Sequence, residues 1–349
     1  MSSTDRPLLG IALNLAGLVV FAVQDVIIKL LSGEYSAFQI VFIRSLVAFV
    51  PIITVIYVTL GMRGFVTRRL PALLLRSVLL FISYTSYYLA VAAMPLVDVV
   101  SIVFAAPLFV TALSMPLLKE SVGVRRWAGV GMGFVGVLIM VRPTGAMFQV
   151  ASLLALIAAV TYALSIIITR RVGATESGWT MSFYATCVFA MCSGVGAGLL
   201  GALDLEISTH ASYAFLVRAW VWPDTAHLGL MVGLGFIAAI GFFCLTQAYR
   251  IAPVSIVAPF DYSYFLWAAV LGYLFWGDLP SSSTLVGVTV VVLSGLYILH
   301  REVRLARQRR SEKPLQVSID AHTSDLPRTH TDKPCIFPLS AKTGDPHRP

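Results

Sequence analysis

The chain has 349 residues, 58% of them hydrophobic and 12% charged, with a formal net charge of +8. A soluble domain is about a quarter charged, so the composition excludes a soluble enzyme and points to an all-α integral membrane protein. The positive balance reads as basic cytoplasmic loops rather than a nucleic-acid surface, and the absence of strand-length alternation argues against an outer-membrane barrel.

Ten apolar segments follow in chain order, each near the length of about 20 residues that crosses a bilayer as helix. The first five are Leu8–Leu31, Phe38–Leu60, Leu73–Met94, Leu96–Leu118 and Trp127–Val141. The second five are Val150–Thr169, Trp179–Leu200, Leu228–Ala248, Pro253–Trp276 and Leu285–Leu299. The first holds Asp25 and Lys29 with no small-residue cleavage site behind it, so it reads as a retained span and not as a signal peptide. Cys187, Cys192 and Cys244 fall inside spans and Cys335 in the tail, which reads as small packing residues and not as a disulfide framework. Most connections are tight. The exception, Gly201–His227, holds Trp220 and Trp222 and reads as an amphipathic interfacial piece.

The second five segments repeat the first. Adding 158 to the residue number carries Ala90 to Ala248, Pro95 to Pro253, Val99 to Val257, Leu113 to Leu271, Glu120 to Asp278 and Gly129 to Gly287, without a gap. The expected architecture is therefore ten transmembrane helices in two five-helix repeats, residues 8–141 and 150–299. Five is odd, so the second repeat enters the membrane inverted relative to the first. Two like halves in a membrane usually move a solute through their seam.

Lys and Arg set the orientation. With the N-terminus inside, the inner loops hold Arg63, Arg68, Arg69, Lys119, Arg125, Arg126, Arg170, Arg171 and Arg250, whereas the outer connections hold only Arg142 and Arg218, with Lys29 near that face. Both termini are then cytoplasmic, and Asp278 is outside. From about residue 301 the chain is polar and rich in proline, which predicts a disordered cytoplasmic tail over 301–349. Its basic first turns suit anionic headgroups or serve only as topology charge.

Charged residues inside spans mark cavities or partners. Asn14, Phe21 and Asp25 share one helix face, so Asp25 faces a cavity, pairs with Lys29 one turn on, or both. Asp261 sits eight residues into the ninth span beside Tyr262 and Tyr264, where it faces a cavity or bonds a tyrosine across a helix seam. Asp98, in the first turn after Pro95, reads as a helix cap. Arg44 either clamps an anion or partners Asp25 across helices. Tyr84, Tyr87 and Tyr88 in the third span, Tyr162 in the sixth, and Gln247 and Tyr249 in the eighth offer stacking rings and amides. The competing reading is that such rings belong to the membrane interface, as Tyr249 and Trp276 do. Gly129, Gly133 and Gly136 form a small face that packs helices together, within the chain or between two copies in a homodimer. No histidine lies in the middle of a span, so a buried His metal site, a His relay and a Ser/His/Asp grouping are all missing. A membrane-embedded enzyme is the minor alternative, and no cofactor is expected.

On these residues the chain resembles the drug/metabolite transporter superfamily, in its two-repeat type with EamA-like repeats. The likeness rests on Lys29 closing the first span, Phe42-Ile43-Arg44 early in the second, Pro107 in the fourth, and the acids in Leu118-Lys119-Glu120 and Trp276-Gly277-Asp278 that close the two fourth spans. Asp278 departs from the family's usual Glu. Gln24-Asp25 and Ala258-Pro259-Phe260-Asp261-Tyr262 are similar to the bacterial branch that contains riboflavin and S-adenosylmethionine uptake proteins. The resemblance implies a central cavity and alternating access without ATP hydrolysis, in a bacterial inner membrane. It implies a substrate site drawn from Asn14, Gln24, Asp25, Tyr84, Tyr88, Tyr162, Gln247, Asp261 and Tyr262. Riboflavin is the first expected substrate, because Lys29 and Arg44 would compensate Asp25. S-adenosylmethionine or another metabolite, taken up or exported, is the alternative.

Overall fold

The computed structural model describes residues 7–118, 124–141, 150–172, 176–203, 210–252, 257–298 and 300. The first half comprises α1 (Pro7–Leu31), α2 (Ala37–Leu60, followed by a 3-10 turn Gly61–Phe65), α3 (Leu70–Ala93), α4 (Leu96–Val103), α5 (Ala106–Leu118) and α6 (Val124–Val141). The second comprises α7 (Val150–Val172), α8 (Gly178–Leu203), α9 (Ala211–Val217), α10 (Thr225–Ile251), a 3-10 segment (Ala258–Tyr262), α11 (Ser263–Trp276) and α12 (Ser282–Ile298). No strand occurs among the described residues. Seven helical stretches are long and apolar enough to cross a membrane, and Trp127–Val141 and Ser282–Ile298 are shorter apolar helices. The tail and Glu120 lie outside the described residues.

Local chemistry sets the ends. Ser36 caps α2 by accepting from the Gln39 N–H, and Asp224 caps α10 by accepting from the His227 N–H. Gly277 closes α11 in the left-handed region, where a side chain would be strained. The fourth span, which Pro107 is expected to interrupt, and the ninth, expected as one helix, are both interrupted. Pro107 lacks the N–H that would bond the Val103 carbonyl, and the helix breaks at Phe104–Ala105. In the ninth span the chain around Pro259 tightens into the 3-10 segment, which ends at Tyr262 before α11 starts at Ser263. The breaks occupy corresponding positions, since 104 + 158 = 262. They also touch, with the Phe104 and Tyr262 rings edge-to-face at 5.5 Å between centroids.

Several of the main helix contacts recur when each span is exchanged for the one five later. α1 packs on α10 as α3 packs on α7, α2 on α10 as α3 on α8, and α1 on α11 as α7 on α5. α2 meets α8, and α4 meets α11, each across the centre of this pattern.

α6 meets α12 in the same way and at backbone distance. A Cβ on Gly136 would lie 2.8 Å from the Gly287 carbonyl oxygen, and one on Gly287 would lie 2.7 Å from that of Gly136. Gly129 faces Ile298, and Gly133 faces Leu108 and Ser294. The small face is thus consumed inside the chain, because α12 already lies where a second copy would have to pack.

The main core runs through the seam, with Leu96, Val100 and Leu108 against Val130, Ala268, Val288 and Val291. In the connection before α10, α9 is docked and not free at an interface: Phe215 is buried, and the Ser212 hydroxyl donates to the Leu89 carbonyl.

Candidate functional site

Asp25 is buried on α1, and two tyrosine hydroxyls donate to its Oδ2, Tyr87 from α3 and Tyr264 from α11. A carboxylate in an apolar bundle is costly unless hydrogen-bonded, and a buried phenol needs an acceptor, so the three groups satisfy one another. Lys29 is not the partner of Asp25. Its Nζ lies 3.2 Å from Asp278 Oδ2, donates to the Met94 carbonyl at 3.3 Å, and sits 4.6 Å from the Trp276 ring centroid. The i,i+4 pairing fails for a physical reason. Lys29 is in the last turn of α1, and the left-handed Gly277 turns Asp278 toward it, while Asp25 is already satisfied by hydroxyls.

Arg44 is 7% exposed and donates from Nη1 to the Tyr88 hydroxyl, with the Tyr84 and Tyr88 ring centroids 5.8 and 5.5 Å from its guanidinium carbon. Among the described residues it makes no ion pair, so the expected Arg44–Asp25 bridge is replaced by a hydroxyl contact. The two remain within electrostatic reach of each other. Gln24 Nε2 donates to the same Tyr88 hydroxyl at 3.3 Å.

Asn14 Nδ2 donates to Asp261 Oδ1 at 2.9 Å and ties α1 to the 3-10 segment. Asp261 therefore bonds an amide on α1. Tyr162 is 38% exposed, yet lies within electrostatic reach of Tyr84, Asp261 and Arg76. Tyr262 turns its ring to Phe104 and its hydroxyl to Gly295, a packing position. The Gln247 side chain lies outside the described residues. Asp98 lies in the first turn of α4, where a carboxylate complements the helix dipole, and accepts from Thr284 Oγ1 at 2.6 Å at the start of α12.

Of the residues read from the sequence, Gln24, Asp25, Tyr84 and Tyr88 are joined through Tyr87 and Arg44 by hydrogen bonds and ring contacts, while Asn14 and Asp261 form a separate pair. Three residues outside the expected substrate site have roles that the sequence reading did not give them, Tyr87 having been read only as a stacking ring and Tyr264 only as a neighbour of Asp261. Tyr87 and Tyr264 hold Asp25, and Arg76 donates to Thr169 Oγ1 at 2.6 Å and to the Met181 carbonyl at 3.3 Å. The signal for Tyr87 was its place three residues from Tyr84. Arg76 carried the same signal as Arg44, a charge inside an apolar span.

A many-helix, lipid-compatible bundle with a polar region in its seam defines a multi-pass membrane protein. Residues 8–142 match the EamA-like transporter family. An S-adenosylmethionine uptake transporter of Rickettsia prowazekii (strain Madrid E) is 27% identical over 84% of this chain and 93% of its own length. A riboflavin transporter of Vibrio cholerae is 26% identical over 89% of this chain and 99% of its own. A pseudopaline exporter of Pseudomonas aeruginosa (strain UCBPP-PA14) is 26% identical over 82% and 94%. A crystal structure at 16% identity shares the fold with a TM-score of 0.56, over 83% of this chain and 96% of that one. The first part of the chain thus matches an EamA-like transporter family, and most of its length is similar to proteins named as transporters.

Proposed function

We propose that the chain is a secondary transporter that takes up a small cationic heteroaromatic metabolite of the S-adenosylmethionine type, by alternating access across a bacterial inner membrane with both termini cytoplasmic. Residues 8–141 and 150–299 act as the two inverted repeats, and residues 301–349 as the tail. The 158-residue offset, the helix breaks at corresponding positions and the exchange-symmetric packing support that division. Discontinuous helices near the middle of a membrane are where such carriers place their sites, and Asp261 lies on one of these breaks.

One observation carries the choice of substrate. Among the described residues the hydrogen-bond partners of buried Asp25 are two tyrosine hydroxyls, and Lys29 has gone to Asp278. A buried carboxylate among aromatic side chains is the make-up of a site for an organic cation. The preference for riboflavin read from the sequence required Lys29 and Arg44 to compensate Asp25. Lys29 bonds Asp278 instead, and Arg44, which donates to Tyr88, acts on Asp25 only from a distance. The similarity to S-adenosylmethionine uptake transporters favours the same reading.

The test is accumulation of labelled compounds in a bacterial host expressing the chain. Uptake of S-adenosylmethionine above the empty host, with riboflavin at background, is expected. Uptake of riboflavin alone would return the substrate to a neutral flavin. Net efflux of S-adenosylmethionine would make the carrier an exporter.

A further inference from the structure

Arg44 takes no part in holding a cation at Asp25. A guanidinium stays charged at any physiological pH and presents five N–H donors in a planar fork. Among the described residues a single donor, on Nη1, is engaged in a hydrogen bond, and its partner is the Tyr88 hydroxyl. The residue is 7% exposed, inside an apolar bundle, with no carboxylate in ion-pair contact among the described residues. A buried cation in that condition suits an anion that arrives and leaves. Position supports this. Tyr88 also receives Gln24, whose chain neighbour is Asp25, and the Tyr84 and Tyr88 rings lie against the guanidinium. The Arg44 fork and the Asp25 carboxylate therefore flank one stretch of α1, joined through Gln24 and Tyr88.

We infer that Arg44, oriented by Tyr88, is the docking point for a carboxylate, so that the substrate is an amphoteric heteroaromatic metabolite bearing a carboxylate as well as a cation. This rests on the cationic-substrate reading and narrows it. Asp25 with Tyr87 and Tyr264 takes the cationic centre, and the Arg44 fork takes the carboxylate through two parallel N–H···O bonds. Simple polyamines and neutral flavins each satisfy one of these points or neither.

The experiment compares S-adenosylmethionine with its decarboxylated analogue, which keeps the sulfonium and adenine and lacks the carboxylate. Purified wild type, Arg44→Gln, Arg44→Lys and Tyr88→Phe are reconstituted, and the KM of each compound is measured. Losing a charged hydrogen-bonded contact predicts that Arg44→Gln raises the KM for S-adenosylmethionine by about tenfold or more, with the KM for the analogue changed less than about twofold. Arg44→Lys keeps the charge without the fork and should fall between the two. Tyr88→Phe keeps the ring and should weaken S-adenosylmethionine selectively. An equal loss for both compounds in every variant, or no loss in any, overturns the inference and leaves the cationic-substrate reading standing. A wild type that moves neither compound overturns that reading and the inference with it.

Discussion

Replacing Gly136 by alanine puts a methyl group where α6 and α12 are in backbone contact. The new Cβ would meet the Gly287 carbonyl oxygen at 2.8 Å, Val291 Cγ2 at 3.0 Å and Val290 Cβ at 3.1 Å. The nearest of these is backbone and the other two are β-branched, so no flexible side-chain end can swing away. The helices must move apart by several tenths of an ångström. Overpacking of this kind costs about 1–3 kcal/mol. Gly131, on the same helix, supplies the control, because its Cβ would meet nothing within 4 Å. Both substitutions gain the same helix propensity, so their difference isolates the clash. Unfolding free energies measured by denaturant titration in mixed micelles should place Gly136→Ala below Gly131→Ala by about 1–3 kcal/mol. Gly287→Ala presses on the same contact from the other side, so the double variant should lose less than the sum. A Gly136→Ala protein as stable as Gly131→Ala would refute the close α6–α12 contact.

Two further outcomes follow from the geometry. Lys29→Met and Asp278→Asn should each destabilise the closure where α1 meets the turn after α11. A double-mutant cycle on transport rate or stability should give a coupling on the order of 1 kcal/mol, and zero coupling would mean that the 3.2 Å pair is inert. Gly295→Ala would set a Cβ 1.9 Å from the Tyr262 hydroxyl and should impair stability, with recovery on adding Tyr262→Phe. An unrescued double variant would show that the hydroxyl is not the obstacle.

The all-helical, membrane-spanning character was legible in the sequence, because apolar run length is a local signal. The α1 face was legible for the same reason, since seven- and four-residue spacing places Asn14, Phe21 and Asp25 together. What periodicity could not provide was the choice of partner. Lys29 has a carboxylate one turn away and bonds Asp278, 249 residues on. Asn14 and Asp261 were each singled out, but their bond spans 247 residues and depends on the packing of α1 against the second half. Tyr264 stood beside Asp261 in the sequence and reaches Asp25 instead, because the chain turns from 3-10 to α-helical geometry at Ser263. The interruption of the fourth span was readable from Pro107. The contact of its break with that of the ninth needed the fold.

The central claim is that this chain carries a cationic metabolite through a seam organised by Asp25. The most direct test is purified protein in sealed liposomes, with labelled S-adenosylmethionine outside and luminal label counted over time, for wild type and Asp25→Asn. The account predicts saturable luminal accumulation by the wild type. It predicts a loss of about tenfold or more in uptake at low substrate for Asp25→Asn, whose amide keeps the size of the side chain and removes its charge. Wild-type uptake no greater than in protein-free liposomes, or an Asp25→Asn protein that transports as well as wild type, would contradict it.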